Sequence, residues 1–234
     1  MGVYLYPSGT EKELKNAYIG GVIPESWLLG YRPLQSDLLD ASWNWKDGSW
    51  YSWTWSFSAN AGKTGARVTW QPHLTTQHVI TSLTYESSPV TACGRICYNT
   101  APTASISWTW LMSSSNWGWK WQTIGTRQAS GQQPYATIWG NNLQISATVP
   151  TINTWYFWAA TNDGTNTKAY LNWSLTNTGT AWTVTAWWVW KLWCAMIDAW
   201  GTRNNWTDWW VRHCAIYNRA LSADEIMQFY TLTA

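Results

Sequence analysis

Short runs of apolar residues, broken by Thr, Ser, Asn and Gly, recur along most of the chain. ASISWTWLM (104 to 112), LQISATV (143 to 149), WTVTA (182 to 186), KLWCAMIDA (191 to 199) and VRHCAIYN (211 to 218) are rich in β-branched and aromatic residues. Turn-forming clusters separate them, which predicts many strands joined by tight links. The clearest pair is WYFWAATNDGTNTKAYLN, residues 155 to 172. Two strand-like runs flank Asp163-Gly164, a turn signal that predicts a β-hairpin. Only the carboxyl end changes period: Ser222 followed by Glu225, ahead of IMQFY, predicts a capping box and one short helix.

Residues 1–26 hold no Trp and carry the charge run EKELK, so they stand apart as a leader or attachment segment. Residues 27–234 suit a single domain, since one all-β core commonly spans this length. Charged residues are 11% of the chain and the formal net charge is +2. With no Lys/Arg stripe to neutralise phosphates, nucleic acid is excluded as the expected partner. No apolar run reaches the 18 or so residues of a membrane-spanning helix, so membrane insertion is not expected. The amino terminus lacks a basic n-region and an apolar h-region, and Tyr6 sits where a myristoylation signal needs Ser or Thr. Export through a signal peptide is therefore not expected.

The tryptophans change the picture. The chain has 25 Trp against 3 Phe, and indoles of about 200 Å² each amount to roughly 5,000 Å², against an exposed surface on the order of 11,000 Å² for this mass. Trp45, Trp117, Trp173 and Trp206 each directly follow Asn. Asn-Gly is a strong hairpin signal because both residues of a type I′ turn need positive φ, whereas Asn-Trp has no such rationale. With glycine in place of Trp, DASWNWKDGSW, NWGWKW and YLNWSL become ordinary loop sequences. TAWWVWKLWC (185 to 194) becomes a Gly-rich turn leading into a strand near Lys191.

NTWYFWAATNDGTNTKAYLNWSL resembles the hairpin of laminin-G-like, concanavalin-A-like jelly-roll domains, in which a Trp-Tyr pair opens one strand, Asp-Gly turns, and Asn-Gly ends the other. VRHCAIYNRALSADEI is similar to the family's last strand and helix, and DASWNWKDGS resembles its Asp-Ala-Ser-Gly-Asn-Gly segment, with Trp43 and Trp45 in the glycine places. The resemblance implies a two-sheet antiparallel jelly-roll sandwich with a short carboxyl-terminal helix. It also implies that many Trp are UGA codons of a source that reads UGA as glycine, with Trp155 and Trp110 genuine. A few indoles stacking on sugars are the rival account, and that needs only two or three.

Jelly-roll glycoside hydrolases carry paired carboxylates along one strand, in Glu-x-Asp-x-x-Glu or a close variant. Glu11, Glu13, Glu25, Glu86 and Glu225 include no such pair within a strand, so the chain is not expected to be an enzyme. Cys93, Cys97, Cys194 and Cys214, with His73, His78 and His213, lack zinc-site spacing and are expected as buried thiols. If calcium binds, as in rim loops of some laminin-G-like domains, the oxygen donors are Asp198, Asn204 and Asp208. Asn141, Asn142, Arg203 and Asn205 are the rim-loop candidates for a ligand. Arg212 and His213 stand where the family has two acids.

The leader's TEKELKNAYIGG resembles amino-terminal segments of phage tail and other virion proteins. The resulting expectation is a binding or structural protein of a phage virion, alone or as an oligomer, whose partners are cell-surface glycans or other virion proteins. The alternatives are a secreted or cell-surface carbohydrate-binding or adhesion domain and, behind it, a hydrolase on the same fold.

Overall fold

Asp163-Gly164 forms the expected turn. In the computed structural model, which describes residues 28–32, 49–50, 55–57, 66–69, 79–87, 89–99, 108–114, 122–127, 133–138, 141–181, 185–192 and 208–234, Asp163 Oδ1 accepts from the N–H groups of Asn166 (2.6 Å) and Thr165 (2.8 Å). Asn162 Oδ1 accepts from the Gly164 N–H at 2.7 Å. Gly164 takes φ +92°, a conformation that favours glycine. The N–H of Asn166 in particular holds the Asp163 carboxyl below its ordinary pKa. The turn joins antiparallel strands β11 (Trp155–Asn162) and β12 (Asn166–Leu171).

Outside β12 lies β13 (Ser174–Thr180), and on the other side of β11 come β6 (Val90–Tyr98), β15 (Asp208–Tyr217), β4 (Ala66–Thr69) and β3 (Trp55–Phe57) in that order. Strand β1 (Leu28–Arg32) also pairs with β15, completing the larger sheet among the described residues. A second sheet runs β10 (Asn141–Gln144), β9 (Gln133–Ile138), β8 (Gln122–Arg127), β7 (Trp108–Ser114), β14 (Thr185–Leu192), β5 (Val79–Ser87) and β2 (Ser49–Trp50). The described pairs are antiparallel, so the fold is all-β with one carboxyl-terminal helix, α1 (Ala223–Leu232).

Strand β6 is buried along its whole length, because each face is covered by a different layer. Side chains alternate across a strand. One set, Val90, Ala92, Ile96 and Tyr98, joins Trp158, Ala160, Val211 and Ile216 on the face toward the second sheet, which contributes Ile124, Ala136, Leu143 and Ile145. The Tyr98 and Trp158 rings meet there at 6.3 Å. The other set packs under α1: Cys93, Phe157, Ala159, Tyr170, Ala215 and Tyr217 cluster with Leu221, Ile226 and Phe229. A bulge at His213 (φ 54°) lets Arg212 pair with Arg95 and Ala215 with Cys93, so both stay on the helix-covered face.

The predicted capping box is present: Ser222 Oγ accepts from the Glu225 N–H at 3.3 Å, and Glu225 Oε2 accepts from the Ser222 N–H at 2.8 Å. Arg219 forms an ion pair with the same carboxylate, and mainly for that reason the Glu225 pKa falls from 4.5 to about 2. Thr91 Oγ1 fixes the approach to the helix, donating to Arg219 O (2.7 Å) and accepting from the Leu221 N–H (2.8 Å). The last turn of α1 has no basic residue of its own. Arg95, from β6, supplies the cation: Nη2 donates to Tyr230 O at 2.5 Å and Nε to Thr233 Oγ1 at 3.0 Å. A positive charge there complements the negative end of the helix dipole.

Two sequence expectations are corrected. LQISATV is strand only to Gln144, because Gln133 Nε2 donates to Ala147 O (2.6 Å) and Ser146 bonds the Thr148 N–H (3.1 Å), side-chain bonds that replace a ladder. Residues 185–192 are not a turn but strand β14, paired with β5 and β7 and bulged between Thr185 and Trp188. Bulky Trp and Val favour a pleated strand, whereas the glycines assumed for a turn do not. Of the runs 104 to 112 and 182 to 186, residues 108–112 and 185–186 are strand, while residues 104–107, 182–184 and 193–199 lie outside the described residues.

Arg95→Met should lower stability by about 2–4 kcal/mol in urea unfolding, since two acceptors at the helix end lose a charged donor. An unchanged midpoint contradicts the anchoring role. The depressed Glu225 pKa adds stability that is full above pH 4.5 and is lost as pH falls toward about 2. Glu225→Gln should therefore be less stable than the parent at neutral pH, with the difference shrinking across that window.

Candidate functional site

Strand register gathers several chain segments at one end of the larger sheet. Strand β6 finishes there at Tyr98, β11 begins at Trp155 opposite Cys97, and β15 begins at Asp208, next to the Trp209–Tyr98 pair. The two-residue link Asn172-Trp173 between β12 and β13 lies at the same end. Asn172 clamps this link: its Oδ1 accepts from the Phe157 N–H (3.1 Å), and its own N–H donates to Phe157 O (2.7 Å). It takes φ 51°, a left-handed conformation that Asn tolerates better than bulkier residues.

The segment from Ile145 to Thr154 crosses the same end. Asn177 Nδ2 donates to Gln144 O (3.3 Å), and the Gly179 backbone approaches Leu143 so closely that an added Cβ would lie 2.8 Å from its Cδ2. These contacts set β10 antiparallel beside β13, so the chain leaving Gln144 runs toward the Asn172-Trp173 link. It is then tied down by the Asn153 N–H, which donates to Tyr98 O (2.6 Å), and by the Thr151 N–H, which donates to Tyr156 Oη (2.9 Å).

Large apolar side chains are exposed here. Val149 (41%), Ile152 (44%), Trp173 (50%) and Leu175 (51%) all belong to these two segments, and among the described residues only Met227 (41%), on α1, joins them elsewhere. Residues 145–157 and 169–181 contain no Asp, Glu, Lys or Arg. The polar groups between the apolar ones are the neutral hydroxyls and amides of Thr, Ser, Asn and Tyr. Positive charge lies beside this end: the Arg212 guanidinium sits 4.3 Å from the centroid of the half-buried Trp155 ring, a cation–π geometry. The arrangement offers apolar contact and neutral hydrogen bonds.

Asn141 and Asn142 open β10 at the opposite end, the end of the Asp163-Gly164 turn. Asp208 opens β15 at the apolar end, with Thr69 as its strand partner. Asp198, Arg203, Asn204 and Asn205 lie outside the described residues. The described residues contain no cluster of three or more His, Cys, Asp and Glu arranged for a metal. Cys93, Cys97 and Cys214 are buried thiols, while Cys194 lies outside the described residues. Burial, reinforced by Cys214, pushes the Cys93 thiol pKa well up. Ile152, Leu175 and the buried Arg95 were missed in the sequence reading. The signal available for the first two was the long uncharged stretch around them.

No protein-family model matches the chain, and no curated protein matches it significantly. Solved structures do. A structure of botulinum neurotoxin type C, which depends upon interaction with two ganglioside molecules to get into cells, superposes with a TM-score of 0.70 at 15% identity, covering 90% of this chain and 52% of that one. The binding domain of Paraclostridial Mosquitocidal Protein 1 gives 0.68 at 14% identity, with 88% and 52% covered. The binding domain of botulinum neurotoxin DC in complex with SialylT gives 0.67 at 14% identity, with 90% and 52% covered. The chain spans about half the length of these structures, and at such identities the likeness is one of fold.

Cys93, Cys97 and Cys214 should resist a thiol reagent in the native protein and react only with unfolding, because the thiolate is the reactive form and burial disfavours it. Fast native labelling of all three contradicts their placement. Asn172→Ala should cost about 1–3 kcal/mol, as the buried Phe157 N–H loses its side-chain acceptor and Ala must hold a positive φ. A thermal or urea midpoint like that of the parent contradicts the clamp.

Proposed function

We propose that the chain is a non-catalytic binding domain, of laminin-G-like, concanavalin-A-like jelly-roll type, that attaches a phage virion or tail to cell-surface glycans. The observation that carries this reading is the exposure of Val149, Ile152 and Leu175 in two segments, 145–157 and 169–181, that carry no charged residue. Large apolar side chains left exposed among polar groups mark interaction sites. The fold likeness to toxin binding domains, one of which interacts with gangliosides and another with SialylT, supports a cell-surface partner. The resemblance of the leader to virion segments supports the phage setting.

The Asn-Trp tryptophans are proposed to be glycine in the source organism. The reading rests on the Asn-Gly hairpin signal in the sequence; as the chain stands, Asn172 takes positive φ and Trp173 does not, so the link itself does not call for glycine at 173. The indole of Trp158, by contrast, is fully buried against Tyr98, and glycine there would open a large cavity.

The labelled protein should bind intact bacterial cells and lose that binding after periodate oxidation of their glycans. Binding that survives periodate contradicts a glycan partner. Capsid and tail genes beside its own should accompany it, and a neighbouring sortase would instead favour a bacterial surface protein. The codons for Trp45, Trp173 and Trp206 should be UGA, with glycine in peptides of the native protein; UGG codons contradict the glycine reading.

A further inference from the structure

Resting on the glycan-binding reading, we infer that the outer face of the second sheet, across β7 to β10, seats an oligosaccharide chain. Burial alternates along this part of the sheet. Ala136 and Leu143, a cross-strand pair, are buried between the sheets, whereas Gln133, Tyr135 and Gln144 are half-buried on the other side. A side-chain bond joins two of this outward set: Gln144 Nε2 donates to Gln133 Oε1 at 2.6 Å. Tyr135 is the strand partner of Gln144. The ladder carries that row onward, with Gly125 as the partner of Tyr135 on β8 and Trp110 as the partner of Gly125 on β7. Directly opposed residues fall on the same face of a sheet. The row therefore reads amide, tyrosine, glycine, tryptophan.

Each part of the row suits one feature of a sugar chain. A pyranose offers an apolar C–H face to aromatic rings and a rim of hydroxyls that donate and accept. Gly125 has no side chain, so two aromatic positions roughly 10 Å apart, two strand spacings, flank a gap in which a sugar ring can lie. The amides beside it are already held. Gln133 Nε2 donates to Ala147 O at 2.6 Å and Gln144 is tied to Gln133, which leaves Gln144 Oε1 to accept and a second hydrogen on each NH₂ to donate. Side chains fixed beforehand lose less freedom when a sugar binds. The same Gln133–Ala147 bond joins this face to the segment that carries the exposed Val149. One sugar unit covers only part of such a row, so the occupant is a chain of several. Trp110 is one of the two tryptophans read as genuine, and the surface does not depend on how the others are decoded.

The test measures binding of the full chain to intact bacterial cells, with and without periodate treatment, for the parent and for Tyr135→Ala, Tyr135→Phe, Gly125→Leu and Met227→Asp, with thermal midpoints recorded alongside. The expected result is periodate-sensitive binding that Tyr135→Ala and Gly125→Leu weaken about tenfold or more and that Tyr135→Phe and Met227→Asp leave unchanged. Gly125→Leu removes no side chain and fills only the gap, so lost binding at an unchanged midpoint reports that the face is occupied. Size-graded fragments released from the cells' polysaccharide by mild acid should compete for the parent, tetrasaccharides about tenfold better than monosaccharides. That arm needs no variant to fold. Periodate-sensitive binding equal in all folded variants, or competition equal at every fragment length, overturns the inference and leaves the glycan reading standing. Binding that periodate does not touch, or no binding at all, overturns both.

Discussion

A guanidinium buried between a sheet and the end of a helix organises the better part of this fold. Arg95 is 4% exposed, on a strand whose every residue is buried. Burying a charge is costly unless its hydrogen bonds are met. The Tyr230 carbonyl and the Thr233 hydroxyl meet them, and both belong to the end of α1. The helix is therefore fixed at two points: by the capping box and Arg219–Glu225 ion pair at its start, and by Arg95 at its end. With α1 pinned over one face, β6 can be buried on both faces. Phe157 and Tyr217 can then close a second small core outside the space between the sheets.

That arrangement explains what was legible in the sequence. The Asp163-Gly164 hairpin and the Ser222–Glu225 capping box are local devices, written in four or five adjacent residues, and both formed as expected. The role of Arg95 was not legible, because its partners lie more than 130 residues away. The bulge at His213 is of the same kind: only the pairing of β15 with β6 shows why an extra residue is needed to return Ala215 to the helix side. LQISATV failed as a strand because Gln133, distant in sequence, takes the Ala147 carbonyl away from any ladder. TAWWVWKL failed as a turn because its large side chains carry strand preference as they stand.

The binding surface was legible only in its chemistry. Asn-rich loops drew attention as hydrogen-bonding rims, yet Asn141 and Asn142 fall at the end of the sheet opposite the exposed apolar residues. Ile152 and Leu175 are unremarkable in sequence and gain meaning when Gln144–Asn177 and Asn153–Tyr98 contacts bring their segments to one end.

Hydroxyl-radical footprinting of the chain bound to glycan-bearing cells tests the central claim most directly. The account predicts that Val149, Ile152 and Leu175 become protected on binding, while Met227, equally apolar and exposed on α1, stays as reactive as in the free protein. Protection confined to Met227 or to the opposite end around Asn141 and Asn142, with the apolar end unchanged, would contradict it.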